Sequence, residues 1–174
     1  LVHGVRETST TFAGNFGVSR EGTLAYVPGA YITGVQYSLM WVDSQGQERP
    51  LSDKARTYVY PRLSRDETRV AVVAVDEERD IYVWDVATGV PTRLSFGPAQ
   101  ETDPLWMPDD RRVVFASRDS RKTDIFRRMA DATGTIEALT KGGTGGPPQS
   151  ISRDGRYLVY QRNRGSSIDL MLLP

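Results

Sequence analysis

The apolar residues of this chain come in short runs that polar turns cut apart. Val70 to Val75 is unbroken and apolar, rich in β-branched side chains, and the charged stretch Asp76-Glu77-Glu78-Arg79 follows it. Asp80-Ile81-Tyr82-Val83-Trp84-Asp85 alternates in part between polar and apolar positions, as a half-buried strand does. Tyr58 to Leu63 and Pro91 to Leu94 read as two further strands, set off by Ser64-Arg65-Asp66-Glu67 and by Thr88-Gly89. No segment carries a convincing helical period. The pattern therefore predicts four antiparallel strands between 58 and 95, with tight connections and no room for a helix.

The pattern then repeats. Glu21, Asp66, Asp109 and Asp154 mark four copies of one phrase, spaced by 45, 43 and 45 residues. A fixed period of this size means one supersecondary unit stacked on itself. The expected strands of the first copy are Phe16 to Val18, Thr23 to Val27, Ser38 to Asp43 and Arg49 to Leu51, with an insert from Pro28 to Tyr37. Those of the third are Leu105 to Met107, Arg112 to Ser117, Asp124 to Met129 and Ile136 to Thr140. The last copy holds three strands and ends with Ile168-Asp169-Leu170-Met171-Leu172-Leu173. One such sheet has two apolar faces and buries both only between neighbours. The fold class expected is all-β, a β-propeller of four-stranded antiparallel blades. The blades fall at about 16–51, 58–95, 104–140 and 149–173 in a single domain, 1–174. Leu1-Val2-His3-Gly4-Val5 is expected as an orphan strand that closes the ring. Closure within the chain, closure between two chains as a homo-oligomer, and a place inside a longer propeller all satisfy the strand count. Trp41, Trp84 and Trp106 are expected in the core.

Composition narrows the partners. Lys plus Arg is 22 and Asp plus Glu is 22, so the net charge is zero. That is not the basic excess of a nucleic-acid footprint. There is no cysteine, hence no disulfide or thiolate chemistry. The apolar runs are far short of the roughly 20 residues of a membrane span. The chain does not open on a charged segment followed by a long apolar stretch, so no signal peptide is expected within it.

The phrase Ser152-Arg153-Asp154-Gly155-Arg156, with Asp80-Ile81-Tyr82-Val83-Trp84-Asp85 and Thr92-Arg93-Leu94-Ser95, resembles the TolB-like or WD40-like propeller repeat (PD40). The variant Gly22-Thr23-Leu24-Ala25-Tyr26-Val27, followed by Leu39-Met40-Trp41-Val42-Asp43, is similar to propellers attached to bacterial serine/threonine kinases. The resemblance implies a repeat array outside the cytoplasm, extracytoplasmic or periplasmic. The chain departs from the pattern at the turn. Only Pro108 keeps the usual proline, and Glu67 and Asp110 stand where glycine is usual. A positive φ there would strain Glu67.

Candidate chemistry is sparse. Gly-x-Ser-x-Gly is absent, so no peptidase domain of the propeller-linked kind is expected. The single histidine, His3, supports neither a triad nor a zinc site. Lys141-Gly142-Gly143-Thr144-Gly145-Gly146-Pro147-Pro148 lacks the ending of a phosphate loop and reads as an inter-blade connection. Asp76-Glu77-Glu78 and Asp109-Asp110 lack the spacing of a calcium loop. Each turn Asp is expected to bond its own backbone. Arg118-Asp119-Ser120-Arg121-Lys122 reads as a charged hairpin tip. Arg69, Arg112 and Arg156 are expected to form inter-blade ion pairs. No catalytic, cofactor or metal residue is assigned. The function expected is a non-catalytic binding or assembly module for a protein, peptide or small ligand. The alternative is a lyase or glycosidase whose carboxylates converge on the channel from different blades.

Overall fold

The computed structural model describes residues 16–18, 24–26, 39–52, 56–76 and 78–174. His3, the proposed closing strand and the insert from Pro28 to Tyr37 lie outside them. The described residues form strands and turns with no helix, so no helix is long and apolar enough to cross a membrane.

The strands fall into four antiparallel blades. The first is β1 (Phe16–Val18), β2 (Leu24–Tyr26), β3 (Met40–Val42) and β4 (Glu48–Pro50). The second is β5 (Thr57–Leu63), β6 (Arg69–Val75), β7 (Arg79–Asp85) and β8 (Pro91–Arg93). The third is β9 (Gln100–Trp106), β10 (Arg112–Asp119), β11 (Lys122–Met129) and β12 (Glu137–Ala138). β13 (Pro148–Ile151), β14 (Leu158–Arg164) and β15 (Ser167–Leu173) make the fourth. A single parallel pairing, Arg79 with Gln100, joins the second blade to the third. The first strand of the third blade starts at Gln100, ahead of the expected Leu105, because paired backbone continues upstream through a run that is polar. The first strands of successive blades lie side by side, β1 on β5, β5 on β9 and β9 on β13.

Alternation along each second strand sends side chains to two different neighbours. Val70, Val72 and Ala74 pack with Leu39, Leu51, Tyr58 and Trp84 toward the first blade. Ala71 and Val73 pack with Ile81, Val83, Leu94, Val113 and Phe115 toward the third. Val114, Ile125, Leu158 and Tyr160 fill the next interface. This explains why β6 is apolar from Val70 to Val75: it lies in the middle one of three blades and both its faces are covered. Trp84 is buried as expected, while Trp41 and Trp106 pack against the core only in part. The outward face of β15 is not covered among the described residues: Leu170 is 71% exposed, whereas its counterparts Ile81 and Ile125 are fully buried.

The repeated turn behaves as its residues dictate. Asp66, Asp109 and Asp154 each accept from the backbone N–H two residues on. The bonds from Ser152 and from the Arg156 backbone hold the Asp154 carboxyl below its ordinary range. Glu67, Asp110 and Gly155 all adopt positive φ, at 61°, 52° and 72°. Asp110 draws a benefit from this conformation. Its two carboxylate oxygens accept from the backbone N–H groups of Arg65 and Asp66, each at 2.9 Å, and clasp the second blade's turn to the third. The arginines after the turn differ from expectation. Arg69 and Arg112 pair with Asp66 and Asp109 of their own turns, because the helix-like turn brings i and i+3 together. Across the blades Arg69 donates to the Asp110 carbonyl and covers the Trp106 ring. Hydrogen bonds to charged groups contribute about 1.5–3 kcal/mol each. With two such bonds, Asp110→Ala is expected to lose about 3 kcal/mol or more in urea denaturation, with Asp110→Asn in between. An unchanged midpoint in both variants would show that the clasp adds nothing.

Candidate functional site

Two features stand out where the second and third blades meet, although the first recurs in β13 between Pro148 and Ser150. The first is a pair of bulges in β5 and β9. Between Val59 and Arg62, and between Thr102 and Leu105, two residues oppose one on the neighbouring strand. The bulged pairs are Tyr60-Pro61 and Asp103-Pro104. Tyr60 and Asp103 hold matching left-handed conformations, with φ of 57° and 53°. A non-glycine residue in that region is uncommon and marks a position the surrounding structure over-determines. The bulges set Arg62 and Asp103 close enough for each to feel the other's charge. Burial lowers the Arg62 guanidinium from its ordinary value and raises the Asp103 carboxyl from its own, and each charge partly offsets this for the other. The hydrogen bond from Arg62 goes to its own neighbour, the Pro61 carbonyl, at 3.0 Å. Two partly buried charges of opposite sign thus lie on adjacent first strands and act on each other electrostatically.

The second feature is a cavity of ≈ 220 Å³ lined by Ser95, Phe96, Pro98, Glu101, Phe115 and Phe126, among others. Glu101 is 5% exposed. Its Oε1 accepts from the Ser117 hydroxyl at 3.1 Å, and its Oε2 is buried without a partner. Burial pushes its carboxyl up to about 7, and the nearby Asp80 charge adds to the rise.

Much of the polar chemistry around this cavity is structural. Asp80 and Ser95 repeat as Asp124 and Thr140 in the next blade. In each case the hydroxyl donates to the carboxylate and accepts from the backbone N–H of Ile81 or Ile125. Asp80 also pairs with Arg93 at 2.7 Å. Carboxylates from two blades, Asp80 and Glu101, do approach each other, but Asp80 is fully engaged. Glu101 is not part of the repeat. The register places Tyr58 and Gly146 at its position in the neighbouring blades. Tyr58 fills the space and meets Ser52 at 3.1 Å. Gly146 leaves none, since a Cβ there would stand 1.8 Å from the Gln161 carbonyl oxygen.

The sequence motifs occupy other places. The segment 141–147 connects the third and fourth blades, with the Gly143 N–H bonded to Asp124. Asp76 and Glu78 pair with Arg56 and Arg93. Residues 118–122 form the exposed tip of the β10–β11 hairpin. Among the described residues no three of His, Cys, Asp or Glu gather to hold a metal ion. Sequence reasoning passes over Arg62, Asp103 and Glu101. The available signal is the column of the repeat itself, where Tyr, Glu and Gly succeed one another at one inward position.

Stacked antiparallel blades whose first strands lie side by side define the chain as a β-propeller. The TolB beta propeller domain family (PD40) matches residues 42–173, and the chain belongs to that family. Among its relatives is the Tol-Pal system protein TolB of Wolinella succinogenes, 24% identical over 123 residues, covering 70% of this chain and 29% of that protein. Another is the acylamino-acid-releasing enzyme of Mus musculus, 28% identical over 151 residues, covering 75% of this chain and 20% of the enzyme. The crystal structure of TolB from Acinetobacter baumannii superposes with a TM-score of 0.73 at 18% identity, covering 95% of this chain and 44% of that one. The chain thus spans less than a third of the length of these two curated relatives.

Proposed function

We propose that this propeller is a non-catalytic scaffold that binds a protein or peptide partner through the bulged first strands of its second and third blades. The observation that carries this reading is the Arg62–Asp103 arrangement. A guanidinium bonded only to its neighbouring carbonyl and a nearby carboxylate, both partly buried, offer a donor and an acceptor to one extended peptide. Loops and irregularities on a rigid β scaffold are where binding function collects. The TolB family match is in keeping with a protein-interaction role. Among the matched proteins are also enzymes, and an enzyme reading draws on Glu101 and Asp80; Asp80 is committed to Arg93 and Ser95, which favours binding. The uncovered face of β15 supports an assembly role beside it, with Ile168, Leu170 and Leu172 able to take a further blade or a second copy.

A displayed peptide library panned on this chain tests the reading. Selected peptides are expected to carry an acidic group or a free C-terminal carboxylate. Arg62→Ala is expected to weaken them about tenfold, equivalent to about 1.4 kcal/mol, and Asp103→Asn to weaken them less. Peptides that bind both variants as tightly as the parent would place the binding surface elsewhere.

A further inference from the structure

We propose that the cavity between the second and third blades is a binding site for a primary ammonium group carried on an apolar body, with Glu101 as its counter-ion.

Donor counting comes first. The Ser95 hydroxyl has one proton, and it is given to Asp80; its oxygen already accepts from the Ile81 N–H. The Ser117 proton is given to Glu101 Oε1. The Ser95 hydroxyl and the Glu101 backbone N–H lie near the carboxyl and partly offset its burial, yet the buried Oε2 itself has no hydrogen-bond partner. A hydroxyl has only one donor to spend, and an unsatisfied buried carboxylate oxygen is costly.

The walls come next. Phe115 and Phe126 stack at 6.3 Å between centroids, and with Phe96, Pro98, Ala99 and Ile136 they make the cavity mostly apolar. One water occupies about 30 Å³ of liquid, so the ≈ 220 Å³ space has room for a ligand of several heavy atoms against mostly apolar walls. Aromatic faces attract a cation, more strongly when it is desolvated. A ligand with a charged donor at one end and apolar bulk behind it fits both parts.

The charge balance has the right sign. The acidic groups near the cavity are Glu101, Asp119 on its lining, and Asp80 and Glu78 behind it. The basic ones are Arg93 and Arg128, which lie over Phe96 at 5.0 and 5.5 Å. Arg93 is held by Asp80 and Glu78, and Arg128 by the carbonyls of Leu94 and Ala132. A single free oxygen suits the point donor of an ammonium and forgoes the bidentate pairing in which a guanidinium is strongest. The neighbouring interfaces offer no such site, since Tyr58 fills the matching position and Gly146 closes it.

The test is calorimetric titration of the whole chain. Phenethylammonium represents a free amine, and N-acetyl-lysine N-methylamide represents a lysine side chain of a peptide. Phenethyl alcohol is the neutral control. At pH 8 at least one amine is expected to bind at least tenfold more tightly than the alcohol, and the tighter of the two identifies the source. Glu101→Gln is expected to weaken that amine at least tenfold. Ile136→Trp, a rim substitution that blocks the cavity and leaves the core intact, is expected to do the same. Because Glu101 takes up its proton near 7, affinity is expected to fall about tenfold from pH 8 to pH 6. Absence of amine binding, equal binding of the alcohol, or full affinity in Glu101→Gln would each overturn the proposal. The Arg62 and Asp103 variants leave this site untouched, so the two readings fail independently.

Discussion

Glu101→Gln is expected to make the chain more stable at pH 8, by up to about 3 kcal/mol, while leaving it little changed at pH 4. The reason lies in the raised carboxyl. Burial lifts it from an ordinary 4.5 to about 7, so between these values the folded chain holds a proton that the unfolded chain has released. Stability then falls as pH rises through this window, and above about 7 the full penalty of a buried charge is present. A shift of this size corresponds to about 3 kcal/mol at 1.36 kcal/mol per unit. Gln keeps the acceptor for Ser117 and removes the charge, so its stability is expected to be flat across the same range. In a domain of this size each kcal/mol moves the midpoint by roughly 2–4 °C. Thermal unfolding of both proteins at pH 4, 6 and 8 reads the effect. Parallel pH profiles for parent and variant would mean that Glu101 is solvated. A residue whose removal stabilises the fold and abolishes amine binding is retained for binding rather than packing.

Phe115→Ala is expected to lose about 3–5 kcal/mol, the range for deleting a buried aromatic ring. Phe115 is 1% exposed and packs among Val73, Ile81, Val83 and Val113 at the interface of the second and third blades. Its ring also stacks on Phe126 and forms a wall of the Glu101 cavity. Deleting it enlarges that cavity instead of letting the blades collapse, because each blade is held by its own hydrogen-bonded ladder and by the Asp110 clasp. Urea denaturation measures the loss. A loss below about 1 kcal/mol would mean that the two blades unfold separately and do not share this core. The double variant with Glu101→Gln is expected to be non-additive, since the two side chains line one cavity.

Much of the architecture is legible in the sequence because its causes are local. Alternation and β-branching place β6 and β7 almost to the residue, and the turn Asp bonds a backbone N–H two residues away. The positive φ at Glu67 and Asp110 follows from glycine standing at that position in a sister copy. β9 is harder to read. Gln100-Glu101-Thr102-Asp103 has no apolar pattern, and its strand forms on the ladder that β10 supplies beside it, interrupted only by the bulge at Asp103-Pro104.

What the sequence by itself determined is the repeating unit: four strands, a polar turn with a fixed Asp, and faces that demand a neighbour. What only the tertiary structure decided is where the chemistry lies. Arg62 and Asp103 come within each other's field, and Glu101 shares one cavity with Ser95, Ser117 and Phe126, across two blades. The environment that desolvates a charge is supplied by side chains far off in sequence. Periodicity reports only which face a residue takes, and the register between blades decides what that face meets.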